Sequence, residues 1–138
     1  MSEANYQTHD TLADSIGYFR ALATDYDGTL TLSDTPPSHR TLDSIARLRK
    51  NGGLAILVTG RILNELHSVF PDVEQHFDLI VAENGCVLWT PEETRILAPA
   101  VSAKLENNLK NRNVNIRAGK VLLAGHASDR ITILEEIH

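Results

Sequence analysis

Cysteine is nearly absent: Cys86 stands alone, which excludes an internal disulfide and fits a reducing compartment. Positive charge is short as well. Thirteen Lys and Arg against 18 Asp and Glu leave a formal net charge of −5, so no basic footprint argues for nucleic acid or an anionic membrane surface. No apolar run is long enough to span a bilayer. The first twenty residues are polar and acidic, not the basic-then-apolar pattern of a secretory leader. The six histidines are scattered, without the paired spacing of a zinc site, and no internal repeat or low-complexity segment interrupts the chain. What remains is ordinary globular material, 138 residues with 42% hydrophobic and 22% charged. That is enough for one domain burying about two-thirds of its unfolded surface. A cytoplasmic location is the expectation.

The chemistry concentrates in one stretch, Ala21-Leu22-Ala23-Thr24-Asp25-Tyr26-Asp27-Gly28-Thr29-Leu30-Thr31. An apolar strand, expected over about 18–26, runs into two carboxylates one residue apart. Strand residues i and i+2 share a face, so Asp25 and Asp27 converge at the strand's carboxyl end, where open α/β sheets bind ligands. Gly28 lets the chain turn at once. A calcium loop of EF-hand type needs Gly at position six and Glu at position twelve. Counted from Asp25 those places hold Leu30 and Pro36, which excludes it.

Residues 1–15 form a polar lead-in, and the Ser, Thr, Asp and Pro of 31–37 predict a loop. Ser38 caps a helix with Leu42, Ile45 and Leu48 on its apolar face, stopped by Asn51-Gly52-Gly53. Leu54–Val58 is a short apolar run expected to be a strand buried on both faces of a parallel sheet. It ends at Thr59-Gly60-Arg61. A second helix follows with Ile62, Leu66, Val69 and Phe70 inward and Pro71 beyond it. Leu79–Ala82 gives a third buried strand, ending at Glu83-Asn84-Gly85. Strand and helix alternating with short links predict an α/β fold, a Rossmann-like doubly wound parallel sheet. After Gly85 a hairpin over 86–97, a helix opened by Pro99, a strand over 121–124 and a helix from about Ser128 are expected. That helix stops at His138 in mid-pattern, without a cap, which predicts a truncated chain.

Asp25-Tyr26-Asp27-Gly28-Thr29-Leu30-Thr31 resembles the first motif of the haloacid dehalogenase superfamily at every fixed position. Val58-Thr59-Gly60-Arg61 resembles its second motif, and Glu83-Asn84-Gly85 resembles the passage from core to cap in its Cof-type, subfamily IIB branch. The resemblance runs from about Phe19 to the end. It implies a Mg2+-dependent phosphatase acting on a small phosphorylated metabolite, with Asp25 as nucleophile and Asp27 as general acid and base. Thr59 and Gly60 would hold the phosphoryl oxygens, favoured by the helix amino terminus, with Arg61 and Asn84 reaching the substrate. The metal would be held by Asp25 and the main-chain carbonyl of Asp27. Residues 16–85 then correspond to the first half of the core and 86–138 to part of an α/β cap.

The family also carries a third-motif Lys and a fourth-motif acidic cluster. Lys120 with Gly125-His126-Ala127-Ser128-Asp129 is the nearest substitute, but the intervening helix and strand are missing and His126 stands where an Asp belongs; Lys120 reads as a cap residue. A first strand without its neighbour is an open edge, a site for self-association. Two other readings stay beside the hydrolase. One is a non-catalytic remnant that binds a partner through its cap or edge. The other is a receiver-type phosphoacceptor, disfavoured because Glu83-Asn84 stands where that fold has its acceptor Asp.

Overall fold

Residues 20–137 are described by a computed structural model. The repeating unit is a strand followed by a helix that covers it. β1 (Ala21–Asp25) leads through the Thr/Ser/Pro loop to α1 (His39–Lys50), where Ser38 accepts the Thr41 N–H as predicted. α1 ends at Asn51-Gly52-Gly53. Gly52 sits at φ 82° and the Gly53 N–H returns to the Leu48 carbonyl at 3.0 Å, satisfying a carbonyl that the helix itself leaves open. β2 (Leu54–Val58), α2 (Leu63–Val69), a single turn α3 (Val73–His76) and β3 (Leu79–Ala82) complete the alternation.

The three strands are parallel, with Asp25 opposite Val58 and Val58 opposite Val81. Their order advances in one direction, β1-β2-β3, so successive crossovers of one hand lay both helices on the same face. Ala55, Leu57, Ile80 and Ala82 on that face pack with Ile45 of α1, Leu63 and Leu66 of α2, and Phe70 just beyond it in one cluster. The other face of β2 is open: Leu54 is 52% and Val58 40% exposed. The expectation that β2 is buried on both faces is therefore corrected among the described residues, because no described helix crosses to that side. Asp78 pins the layers. Its carboxylate accepts the Ala55 N–H at 2.8 Å and the Arg49 Nε–H at 3.0 Å.

At the end of β3 the chain reverses through Glu83-Asn84-Gly85. Asn84 and Gly85 lie at φ 56° and 91°, as a primed hairpin turn requires, and the Cys86 N–H reaches the Glu83 carbonyl at 3.2 Å. The expected hairpin forms as β4 (Val87–Trp89) and β5 (Thr94–Ile96), and it continues the same sheet antiparallel to β3. The helix placed at Pro99 begins later, as α4 (Ala103–Asn111), capped by Ser102. A two-stranded unit follows, β6 (Ile116–Ala118) with β7 (Leu123–Gly125). β6 was not expected, since Ile116-Arg117-Ala118 is too short to show a period. The strand expected over 121–124 lies at Leu123–Gly125 because Val121 and Leu122 are used by the turn. α5 (Arg130–Ile137) closes the described chain. Ile131 and Ile137 on it are 74% and 58% exposed. The polar lead-in falls outside the described residues.

Candidate active site at the carboxyl ends of the parallel strands

Asp25 is the last residue of β1, and Tyr26 between the two aspartates turns into the core. The Tyr26 ring is fully buried, stacks on Phe70 at 6.3 Å between centroids, and its hydroxyl donates to the Thr35 carbonyl at 2.7 Å. Alternation then leaves Asp25 and Asp27 exposed on the opposite side. The turn is tight. The Tyr26 carbonyl accepts the Leu30 and Thr31 N–H groups at 3.0 and 3.2 Å, the Gly28 N–H donates to the Thr31 carbonyl at 2.8 Å, and Gly28 takes φ 75°, a backbone open to glycine. Thr29 Oγ1 donates to Asp25 Oδ2 at 3.4 Å.

Thr59 follows directly on Val58, the register partner of Asp25 at the end of β2. It is buried, its N–H donates to the Val81 carbonyl at 2.8 Å, and its Oγ1 accepts the Arg61 N–H at 3.1 Å. Gly60 is exposed, and a Cβ there would stand 2.7 Å from Asn84 Oδ1. Only a glycine lets the Asn84 side chain lie across this turn. All six residues singled out from the sequence, Asp25, Asp27, Thr59, Gly60, Arg61 and Asn84, thus meet at one edge of the sheet.

Arg61 does not project freely into the opening. Its Nε stands 2.9 Å from Asp27 Oδ2, its Nη2 stands 2.5 Å from Asp27 Oδ1 and from Asp34 Oδ1, and its guanidinium lies 5.3 Å from the Tyr26 ring centre. The hydrogen bonds from Arg61 hold the Asp27 carboxyl below its usual range, outweighing the opposite effect of burial. In return they raise the Arg61 guanidinium. Tyr26 is shifted up, chiefly by burial, which Arg61 partly offsets.

A cleft of about 620 Å3 opens beside the Arg61–Asp27 pair; of the six residues singled out from the sequence, Asp27, Gly60 and Arg61 line it, and Asp25, Thr59 and Asn84 do not. Asp27, Asp34 and Arg61 line one side, and Arg117, Leu122 and Ala124 of the β6–β7 unit line the other. Arg117 Nη1 donates to both oxygens of Glu65 on α2, at 3.0 and 3.1 Å. Asp34, Glu65 and Arg117 were not foreseen. Asp34 is hidden in a loop rich in turn formers, and the other two meet only because the chain folds back. Lys120 belongs to the β6–β7 turn. His126 and Asp129 flank the start of α5, with His126 Nδ1 3.0 Å from Ser128 Oγ, outside the lining of the cleft.

Asp25 and the Asp27 carbonyl are hard oxygen donors, and Mg2+ is commonly held by one or two carboxylates, water and substrate phosphate. This set fits such an ion as a partial shell. Among the described residues no group of three or more His, Cys, Asp and Glu is gathered that could complete it.

The family model described as haloacid dehalogenase-like hydrolase matches residues 22–122. A phosphomannomutase of Galdieria sulphuraria is 31% identical over 90 residues, which are 65% of this chain and 35% of that protein. The chain therefore spans about a third of the length of this curated relative. Among solved structures, a Thermoplasma acidophilum protein aligns with a TM-score of 0.59 at 17% identity, over 86% of this chain and 56% of that one. A subclass IIB sugar phosphatase of the same superfamily aligns with a TM-score of 0.51 at 20% identity, over 82% and 47%. These structural likenesses carry the Rossmann-like α/β fold.

Proposed function

The chain belongs to the haloacid dehalogenase-like hydrolases, and from that premise we propose that its site hydrolyses a small phosphomonoester through an aspartyl phosphate on Asp25. The observation that carries the reading is the register of β1 on β2. It sets Asp25 beside the strand end that leads into Thr59-Gly60, with Asp27 and Arg61 bound to each other alongside.

In this reading an Asp25 oxygen attacks phosphorus in line, forming the new O–P bond as the bond to the leaving alkoxide breaks. Asp27 gives its proton to that oxygen. Water then attacks the phosphorus of the acyl phosphate, Asp27 takes the proton, and Asp25 and inorganic phosphate are released. Thr59 Oγ1 and the Gly60 N–H hold the phosphoryl oxygens, and Asn84 contacts the substrate above Gly60. Arg61 orients Asp27 and favours its ionised carboxylate, the form that accepts the proton from water; the first step therefore needs Asp27 to take up a proton from solvent as the phosphoester binds. The Asp25 carboxylate and the Asp27 carbonyl would hold Mg2+, which when bound would supply the positive charge that lets a carboxylate approach a phosphate. Residues 16–85 serve as the first half of the core and the cap begins after Gly85, with β4 and β5 bridging the two. A cytoplasmic location accords with this chemistry. Among the described residues no helix is long and apolar enough to cross a membrane.

The test is p-nitrophenyl phosphate hydrolysis with and without Mg2+, by this chain and by Asp25→Asn. Mg2+-dependent turnover abolished in Asp25→Asn supports the reading. Turnover that survives the substitution overturns it, and no turnover in either protein means that these residues alone do not make a working phosphatase.

A further inference from the structure

Glu83 is fully buried, yet its partners are all backbone. Its Oε1 accepts the Lys120 N–H at 2.9 Å, and its Oε2 accepts the Val121 N–H at 2.8 Å and the Leu122 N–H at 3.3 Å. The Glu83 N–H in turn donates to the Arg61 carbonyl at 3.0 Å. One residue thus joins the strand end that holds Asn84, the segment that carries Arg61, and the β6–β7 turn.

Two further features show that the local backbone is shaped around this carboxylate. Glu83 lies at φ 53°, in the left-handed region that residues with a Cβ rarely adopt, and such outliers persist only where surrounding contacts over-determine them. Across the gap, a Cβ on Gly119 would run into the Glu83 carboxylate, so the turn approaches as closely as glycine permits. Burial alone raises a carboxyl, but here the backbone N–H groups around Glu83 outweigh that effect and hold it below its ordinary value.

We infer that Glu83 is a positioning residue, a latch that fixes the β6–β7 turn against the end of β3 and the segment that carries Arg61. In doing so it sets the wall of the cleft facing Asp27. The turn it holds, Gly119 to Leu122, lies between Arg117 on one side and Ala124 on the other, and Arg117, Leu122 and Ala124 form that wall. The charged side chains on the elements packed against Glu83 are Arg61 and Glu65 at α2 and Arg117 and Lys120 at the β6–β7 unit. Arg61 is bound to Asp27 and Asp34, and Arg117 to Glu65. No side-chain cation bonds Glu83 among the described residues. What the wall serves rests on the phosphatase reading; the latch itself does not.

The test uses the 15N-labelled chain and needs no turnover, so its failure and a failure of the phosphatase reading are separate results. Amide protons bonded to a carboxylate shift when it titrates. Those of Lys120, Val121 and Leu122 should follow one curve on acidification, with a midpoint below the ordinary 4.5, and the curve should vanish in Glu83→Gln. Gln offers one acceptor oxygen in place of two, so hydrogen-exchange protection at Lys120–Leu122 should drop at least tenfold, with Leu57 in the core unchanged and the Leu122 and Ala124 methyl resonances displaced. If the three wild-type amides titrate apart, the latch is wrong, whatever the variant does. It is equally wrong if protection in Glu83→Gln stays within twofold of wild type, or falls by the same factor at Leu57.

Discussion

Arg61 lies across Asp27 in a forked contact, Nε to Oδ2 at 2.9 Å and Nη2 to Oδ1 at 2.5 Å, joining β2's carboxyl end to the turn after β1. Arg61 also binds Asp34 and covers the Tyr26 ring. Arg61→Ala should therefore lower stability by about 1–2 kcal/mol, a charged hydrogen-bond value discounted because Asp27 is half exposed. Arg61→Lys keeps the charge without the fork and should recover less than half of the loss. Urea midpoints of the three proteins check this.

Gly60 and Asn84 are predicted to be coupled. A methyl at Gly60 stands 2.7 Å from Asn84 Oδ1, so Gly60→Ala should cost roughly 1 kcal/mol by displacing the amide. Asn84→Gly keeps the positive φ and removes the obstacle, and the double variant should then be more stable than the sum of the two singles predicts. A double-mutant cycle with a coupling below about 0.3 kcal/mol would count against the contact.

Glu83 gives the stability profile a defined sign. Its folded value lies below 4.5, so below that pH the unfolded chain takes up the proton first. The stabilisation is complete at neutral pH and is lost as pH falls through the folded value. Asp27 shifts in the same direction, so the wild-type slope contains both. The difference between wild type and Glu83→Gln isolates Glu83. That difference should be constant from pH 7 to about 5 and shrink toward pH 3, as followed by urea denaturation.

The sheet predicts association. β1 is the edge strand among the described residues, Leu22 is 43% exposed on it, and Leu54 beside it is 52% exposed. An apolar edge with unpaired backbone groups invites pairing. Light scattering behind size exclusion should show mass rising with concentration, and Leu22→Lys with Leu54→Glu should suppress the rise. A monodisperse monomer with a cooperative melt above about 50 °C would overturn this.

The amino-acid sequence by itself determined the local parts. Asp25 and Asp27 at a strand end, Gly28 in the turn, Ser38 as a cap, Gly52 as a stop and Asn84-Gly85 as a reversal are legible because each is set by backbone rules acting over a few residues. The gathering of Asp25, Thr59, Gly60 and Asn84 at one edge was legible too, since parallel strands put their carboxyl ends together. Tertiary structure alone decided the rest. β2 has one bare face because the strand order runs one way, a choice that an apolar run such as Leu54–Val58 cannot express. Arg61 turns to Asp27 and Asp34 because two loops far apart in sequence close over it. Glu83 is a buried anion because the Gly119–Leu122 turn, 37 residues on in the bond to Lys120, brings its N–H groups to meet it. Long-range contacts between charged or polar groups leave no period in the sequence, and their energies are settled only by the burial that folding creates.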